Sequence, residues 1–270
     1  DVESRGLGDV YKRQRENRYL SQFPKFSLET LVNGKFIEDV DEYIADQFVA
    51  KDFWVYLKGA TEKSIGKKEN NNVYFGEEDY LFEKYTGVNS EIIDKNLKGI
   101  NEFIEKYNIK TTLSVVPNSS EIYPEYLPYF IQSSQEDLFT YISGHVGNSL
   151  TFINPTETLM EHKSEYIYYK TDHHYSTLGA YYVYETLGDV LGYTPYKLTD
   201  FTIKEVANDF EGTYYSKAND YFLPKDKMYY FLPLKENPVK LYYDFKQSEG
   251  DTLYNLSLIH IWRCRRLVEC

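Results

Sequence analysis

Cysteine is nearly absent from this chain: there are two in 270 residues, Cys264 and Cys270, both close to the end. A disulfide framework, a cysteine-rich zinc site and a dithiol redox motif are therefore excluded. Basic residues are scarce too, 30 Lys and Arg against 42 Asp and Glu, for a net charge of −12. Such a surface offers no cationic stripe to phosphates, so nucleic acid is not an expected partner. No apolar run is long enough to cross a bilayer. There is no internal repeat and no low-complexity linker. Serines occur, but none stands in a G-x-S-x-G or G-D-S setting, so no nucleophile announces itself.

The two ends read as foreign to the rest. Residues 9–14 spell DVYKRQ and residues 256–261 spell LSLIHI. One codon choice for the first, GAT GTG TAT AAG AGA CAG, has the reverse complement CTG TCT CTT ATA CAC ATC, which encodes the second. Peptides that are each other's antisense translation look like the inverted ends of a transposon-type sequencing adapter. Arginine usage agrees: of seven, only Arg15 and Arg18 lie between the ends. Residues 1–14 and 256–270 are therefore set aside as adapter-derived. The expected organisation is a helical N-terminal extension over 15–66 and one α/β domain over 67–255, truncated at its C-terminal side.

Within that segment the apolar spacing predicts two helices across Ser27 to Gly66 and a hairpin from Asn72 to Tyr85, turning at Gly76-Glu77-Glu78-Asp79. A helix over Ser90 to Tyr107 leads to a buried strand at Thr111 to Val116. Further helices are expected around Gln135 to His145 and Pro155 to Glu161, and further strands at Leu150 to Ile153 and Tyr166 to Tyr169. A last helix runs from Ser176 to Leu191, with Ala180, Val183, Tyr184, Leu187, Val190 and Leu191 as its apolar stripe. Alternating strands and helices imply an α/β fold with a largely parallel sheet, whose ligands gather at strand carboxyl ends. Pro117 to Ser120 and Asp172 to His174 each follow such an end.

The densest chemistry is Asp172-His173-His174-Tyr175, which holds two of the five histidines. In extended backbone Asp172 and His174 point one way and His173 the other. Asp172 would then orient His174 as a general base, beside a helix N-terminus that keeps the imidazole neutral. Two other readings stay open at this point. Asp172 can cap the helix while the imidazoles merely pack, or the three residues can bind metal. Metal is the weakest, because zinc wants three or four ligands and the other histidines have no matching spacing. The loop Pro117-Asn118-Ser119-Ser120 is a second candidate, as a source of oxyanion donors from Asn118 and backbone N–H groups. Its plainer reading is a helix-capping turn. His145 and His162 end polar helical stretches and read as surface residues.

These residues resemble the DHHW family of bacterial proteins. The likeness is carried by ENRYLSQFPKFSLETLVNGKF, FVAKDFW, GKKENNNVYFGEEDYLFEKY, SVVPNSSEIYPEYLP and YYKTDHHYSTLGAYYVYETL. The name-giving motif departs at its last position, where Tyr175 stands for Trp. The resemblance implies an SGNH/flavodoxin-like layered domain related to proteins that acetylate alginate, in which a D-x-H-W motif supplies two members of a Ser-His-Asp triad. Carried over, it makes Asp172 the orienting acid and His174 the base, with Asn118 and Tyr175 as substrate-binding candidates. The nucleophilic serine of that group lies downstream, and neither Ser176 nor Ser216 fits it, so the chain as written is expected to lack turnover. The resemblance further implies a cell-surface polysaccharide O-acyltransferase or esterase, extracytoplasmic and anchored through an N-terminal segment. It would work with a membrane-bound O-acyltransferase and need no cofactor or metal. A non-catalytic glycan-binding protein and a metal-dependent hydrolase are the competing readings.

Overall fold

The structure, a computed structural model, describes residues 21–48, 51–220 and 222–235, with backbone alone at 12–13, 18–19, 51–52, 239–243 and 246–250. Apart from Lys12 and Arg13, the terminal peptides 1–14 and 256–270 lie outside the described residues. Two units separate by backbone contacts: residues 1–66, 219–221 and 239–270 in one, 67–218 and 222–238 in the other. Among the described residues no helix is long and apolar enough to cross a membrane.

The first unit has three helices where apolar spacing predicts two. α1 (Leu28–Val32) opens on a capping box, in which Ser27 Oγ accepts from Thr30 N at 3.1 Å and Thr30 Oγ1 accepts from Ser27 N at 3.3 Å. It ends at Asn33, because Gly34 adopts φ +81, a left-handed conformation that no helix continues through. α2 (Lys35–Gln47) and α3 (Lys51–Ser64) follow. Phe23 and Phe26 meet Phe36 and Tyr43 edge to face, with ring centroids 5.3 to 6.5 Å apart. Later in the chain, Val239–Tyr243 and Lys246–Gly250 pair as an antiparallel ladder.

The second unit is mixed α/β. β1 (Glu69–Asn70), β2 (Val73–Phe75) and β3 (Leu81–Glu83) form an antiparallel meander, with Tyr74 opposite Phe82. The expected hairpin is present in register, with one extra strand before it. α4 (Ser90–Tyr107) is capped by Asn89, whose Oδ1 accepts from Ile92 N at 3.2 Å, and ends at Asn108 in the left-handed region. It leads into β4 (Thr111–Ser114), then α5 (Ser119–Ile122), α6 (Glu136–His145), β5 (Leu150–Ile153) and α7 (Thr156–Glu161). β4 and β5 pair in parallel, Thr111 against Leu150. Among the described residues, the parallel pairing that alternation implies is confined to these two strands. α8 (Thr177–Leu191), β6 (Phe201–Phe210), α9 (Thr213–Ala218) and β7 (Asp226–Pro233) complete the unit, with β6 and β7 antiparallel.

The core joins Tyr74, Phe82, Ile122, Tyr123, Leu159, Ile167, Tyr168, Tyr181, Tyr182 and Val183. The buried face of α8 matches the expected stripe only in part: Val183 is buried and Tyr184 and Leu187 pack against the core, but Tyr181 and Tyr182 also turn inward, while Leu191 is 53% exposed. Tyrosine can do this because its hydroxyl finds an outlet. Tyr182 donates to Glu165 at 2.9 Å and Tyr181 to the Tyr196 carbonyl at 3.0 Å.

The strand expected at Tyr166 to Tyr169 does not form. One antiparallel bridge, Tyr168 to Tyr175, closes a six-residue loop instead. Its backbone groups have other partners: Ser176 N donates to Ile167 O at 2.8 Å, and Lys170 O accepts from Leu81 N at 2.8 Å. A segment satisfied residue by residue from several sides has no need of a ladder.

Candidate active site

That loop carries Asp172, His173 and His174, and its shape follows from one carboxylate. Asp172 Oδ1 accepts from the His174 backbone N–H at 3.0 Å, an Asx-type turn that bends the chain two residues on. The same oxygen accepts from His174 Nδ1 at 2.5 Å. Asp172 Oδ2 accepts from Thr213 N at 2.7 Å, at the start of α9. Asp172 is 3% exposed. Burial alone would raise its pKa, but the bonds from His174 and Thr213 and the neighbouring imidazoles outweigh it and bring the carboxyl down to about 2.

The pairing of Asp172 with His174 appears as the spacing suggests. The placement of His173 does not. It was expected to face away, yet its Nδ1 lies 3.3 Å from Asp172 Oδ1 and 2.9 Å from Thr213 Oγ1. The two imidazole rings are 3.7 Å apart. The reason is the bend: alternation holds for extended backbone, and the Asx turn abolishes it. Burial lowers the pKa of His173, partly against the pull of Asp172. Asp172, His173 and His174 each offer one ligand atom within 4.8 Å of the others, a cluster able to hold a metal ion.

A second carboxylate, Asp226, holds the loop from behind. It is 2% exposed and accepts from Tyr166 OH, Lys170 N (2.8 Å), Thr171 N (2.8 Å) and Thr171 Oγ1 (2.5 Å). Thr171 Oγ1 also accepts from Gly212 N at 3.1 Å, and Thr171 O accepts from Tyr214 N and Tyr215 N. Gly212 has to be glycine in this arrangement: a Cβ there would stand 2.3 Å from Thr171 O and 2.5 Å from Asp172 Cβ. Sequence reasoning finds none of Thr171, Gly212, Thr213 or Asp226. Their bonds span 41 to 55 residues, and no local pattern marks them.

The other candidates divide. Tyr175 is half-buried and meets Tyr168 edge to face at 6.4 Å, while Tyr168 OH donates to Pro117 O at 2.6 Å. The Pro117 loop thus adjoins the closing pair of the histidine loop. Asn118 N, however, donates to Gln135 Oε1 at 2.6 Å, so this backbone donor is already committed. Ser119 and Ser120 are buried in α5, and Ser120 Oγ accepts from Ser133. Ser176 caps α8 by accepting from Gly179 N, and donates to Tyr166 O at 2.5 Å. His145 is exposed, as expected, but His162 is not a plain surface residue. Its ring stacks on Tyr182 at 3.6 Å and its Nδ1 lies 2.7 Å from Glu165 Oε1.

The DHHW protein family matches residues 129–255, which include the loop. A crystal structure of a DHHW family protein from Eubacterium siraeum DSM 15702 is 25% identical and superposes with a TM-score of 0.55, over 67% of this chain and 61% of that one. The probable alginate O-acetylase AlgJ of Pseudomonas syringae pv. tomato (strain ATCC BAA-871 / DC3000) is 23% identical over 183 residues, 63% of this chain and 46% of that protein. The chain thus spans less than half the length of this curated relative. PatB1 of Bacillus cereus is 18% identical over 66% of this chain and 65% of that one, with a TM-score of 0.49, below the level at which a shared fold follows. Within the matched region, Tyr175 stands where the family's name-giving motif has tryptophan.

Proposed function

We propose that this chain contributes the acid and base of a Ser-His-Asp acyl-transfer site of the SGNH type. On this reading it serves as an O-acyltransferase or esterase of cell-surface polysaccharide. The carrying observation is the 2.5 Å contact between Asp172 Oδ1 and His174 Nδ1. A proton held between them places the imidazole lone pair on Nε2, the tautomer a general base requires. The likeness to a probable alginate O-acetylase supports a polysaccharide acceptor. In the first half-reaction Nε2 takes the serine proton as its oxygen bonds to the acyl carbon. The protonated ring then returns the proton to the departing oxygen. In the second half-reaction a sugar hydroxyl, or water, gives up its proton to Nε2 as it bonds to the acyl carbon; the acyl–serine bond then breaks and Nε2 returns the proton to the serine oxygen.

The serine is none of Ser119, Ser120 or Ser176, whose hydroxyls are buried or committed. Asn118 is proposed to reach the acyl oxygen through its carboxamide rather than its backbone. Tyr175 is proposed to contact the sugar with the edge that Tyr168 leaves uncovered. Function on polysaccharide implies an extracytoplasmic location and a membrane-bound acyltransferase as acyl donor. Labelling the full-length gene product with phenylmethanesulfonyl fluoride tests the reading: one serine should be modified, and modification should vanish in His174→Ala. A protein that takes up no label, or labels equally well without His174, sinks it.

A non-catalytic glycan-binding role has one observation in its favour. Tyr129 is 98% exposed and pairs edge to face with Phe130, itself 55% exposed, at 5.3 Å. Polysaccharide retention that falls in Tyr129→Ala but persists in His174→Ala would favour that role.

A further inference from the structure

The bend that brings His173 back to Asp172 gives this loop a second chemistry. Asp172, His173 and His174 present one carboxylate and two imidazole donors within 4.8 Å of one another, with Asp172 Oδ1 at 3.3 Å from His173 Nδ1 and 2.5 Å from His174 Nδ1. Asp172 is fixed through its other oxygen by Thr213 N. Its side chain is 4% exposed, whereas those of His173 and His174 are 44% and 36% exposed, leaving a hydrated ion a way in. We propose that these three residues form a site for a borderline divalent transition-metal ion such as Zn²⁺, and that its occupancy switches off the base.

The donor set selects the ion. Calcium and magnesium want six or more oxygen ligands, and this loop has one carboxylate. Two imidazoles and a carboxylate suit zinc, which accepts three protein ligands and keeps its fourth position for water. With bonds of about 2.0–2.1 Å, neighbouring ligand atoms in a tetrahedral site stand roughly 3.3–3.4 Å apart. His173 Nδ1 and Asp172 Oδ1 are already at 3.3 Å. His174 Nδ1, at 2.5 Å from the same oxygen, has to withdraw by about 1 Å, which a small ring rotation of this partly exposed side chain supplies. Thr213 Oγ1, 2.9 Å from His173 Nδ1, can turn its hydroxyl proton away from that nitrogen.

Silencing follows from where the proton goes. In the acid–base pair the neutral His174 ring carries its proton on Nδ1 and its lone pair on Nε2. A metal on Nδ1 moves that proton to Nε2, with no net release, and Nε2 can then no longer accept one. In acid each protonated imidazole must first lose a proton, so uptake weakens as pH falls. The inhibitory consequence rests on the acyl-transfer reading; the binding itself does not.

Calorimetric titration of the protein with zinc chloride near neutral pH tests the site. One ion per chain with micromolar affinity is expected. His173→Ala should weaken it by more than about 100-fold, the upper end of what loss of a mere outer-shell partner costs. His145→Ala and His162→Ala should change nothing. His173 is half-exposed, so its replacement is expected to leave the circular dichroism spectrum intact. Nitrogen NMR of His174 provides a second readout, with the ring proton moving from Nδ1 to Nε2 on zinc addition. Absent uptake, or uptake undiminished in His173→Ala, overturns the proposal. Uptake by a full-length gene product that shows no acyl turnover would refute the catalytic reading alone, and turnover without uptake would refute this one alone.

Discussion

Replacing Asp226 by asparagine keeps the side chain's shape and changes one thing, its capacity to accept. The carboxylate takes two donors on each oxygen: Tyr166 OH and Lys170 N on Oδ1, Thr171 N and Thr171 Oγ1 on Oδ2. Whichever end of the carboxamide becomes NH₂ then faces a main-chain N–H. The hydroxyls of Tyr166 and Thr171 can rotate to accept from the new donor, but a backbone N–H cannot turn. One buried amide is left stranded, at about 1–3 kcal/mol, and the remaining bonds lose their charge assistance. The sum is about 3–5 kcal/mol, and nothing near a 2%-exposed side chain offers water in compensation. At a slope of about 2–3 kcal/mol per molar urea, the unfolding midpoint should fall by roughly 1–2 M. Amide exchange adds a local readout, since Lys170 and Thr171 should lose protection first. Thr171→Val removes the hydroxyl shared with Asp226, so the double variant should cost less than the sum of the singles. A midpoint shift equivalent to less than about 1 kcal/mol, with Lys170 and Thr171 still protected, would refute the argument that Asp226 holds the loop.

Three further outcomes follow from the same geometry. Gly212→Ala drives a Cβ against the Thr171 carbonyl and Asp172, so it should destabilise by about 1–3 kcal/mol and break the Thr213–Asp172 bond; a crystal structure with that bond at 2.7 Å would contradict this. Acid should weaken the fold through Asp172. With the carboxyl at about 2 when folded against 3.8 as its ordinary value, the contribution is about 2 kcal/mol, present above pH ~3.8 and lost as pH falls towards 2. His173, depressed by burial, works in the same direction: the unfolded chain takes up its proton first, so stability also falls as pH drops below its ordinary 6.5. Asp172→Asn should therefore flatten the acid limb of a urea-midpoint profile, and an unchanged slope between pH 4 and 2 would count against the assignment. Ser119→Ala and Ser120→Ala should leave sulfonyl labelling intact, and loss of labelling in either would move the nucleophile into α5.

Much of this arrangement was legible in the sequence because it is local. Ser90 to Tyr107 and Leu150 to Ile153 form where their spacing places them, and Asp172 meets His174 because they stand two positions apart. The failures have a common cause, bonds made to distant partners. The 166–169 segment reads as a strand until Ser176 donates to the Tyr166 and Ile167 carbonyls, and Leu81 and Asp226 take the backbone groups of Lys170 just beyond it. His173 faces away until the Asx turn folds it back. The inward face of α8 is set by tyrosines whose outlets, Glu165 and Tyr196, lie off the helix. Asp226 was invisible: a lone aspartate at the start of a strand carries no signal of the loop that it holds 55 residues away.

The Asp172–His174 pair is the centre of the account, and turnover of an activated acetyl ester by the full-length gene product tests it most directly. His174→Ala and Asp172→Asn should each lower kcat by roughly 10³–10⁴-fold, while His162→Ala, the other carboxylate-paired histidine, leaves it near the wild-type value. Wild-type turnover that survives in both His174→Ala and Asp172→Asn would contradict it.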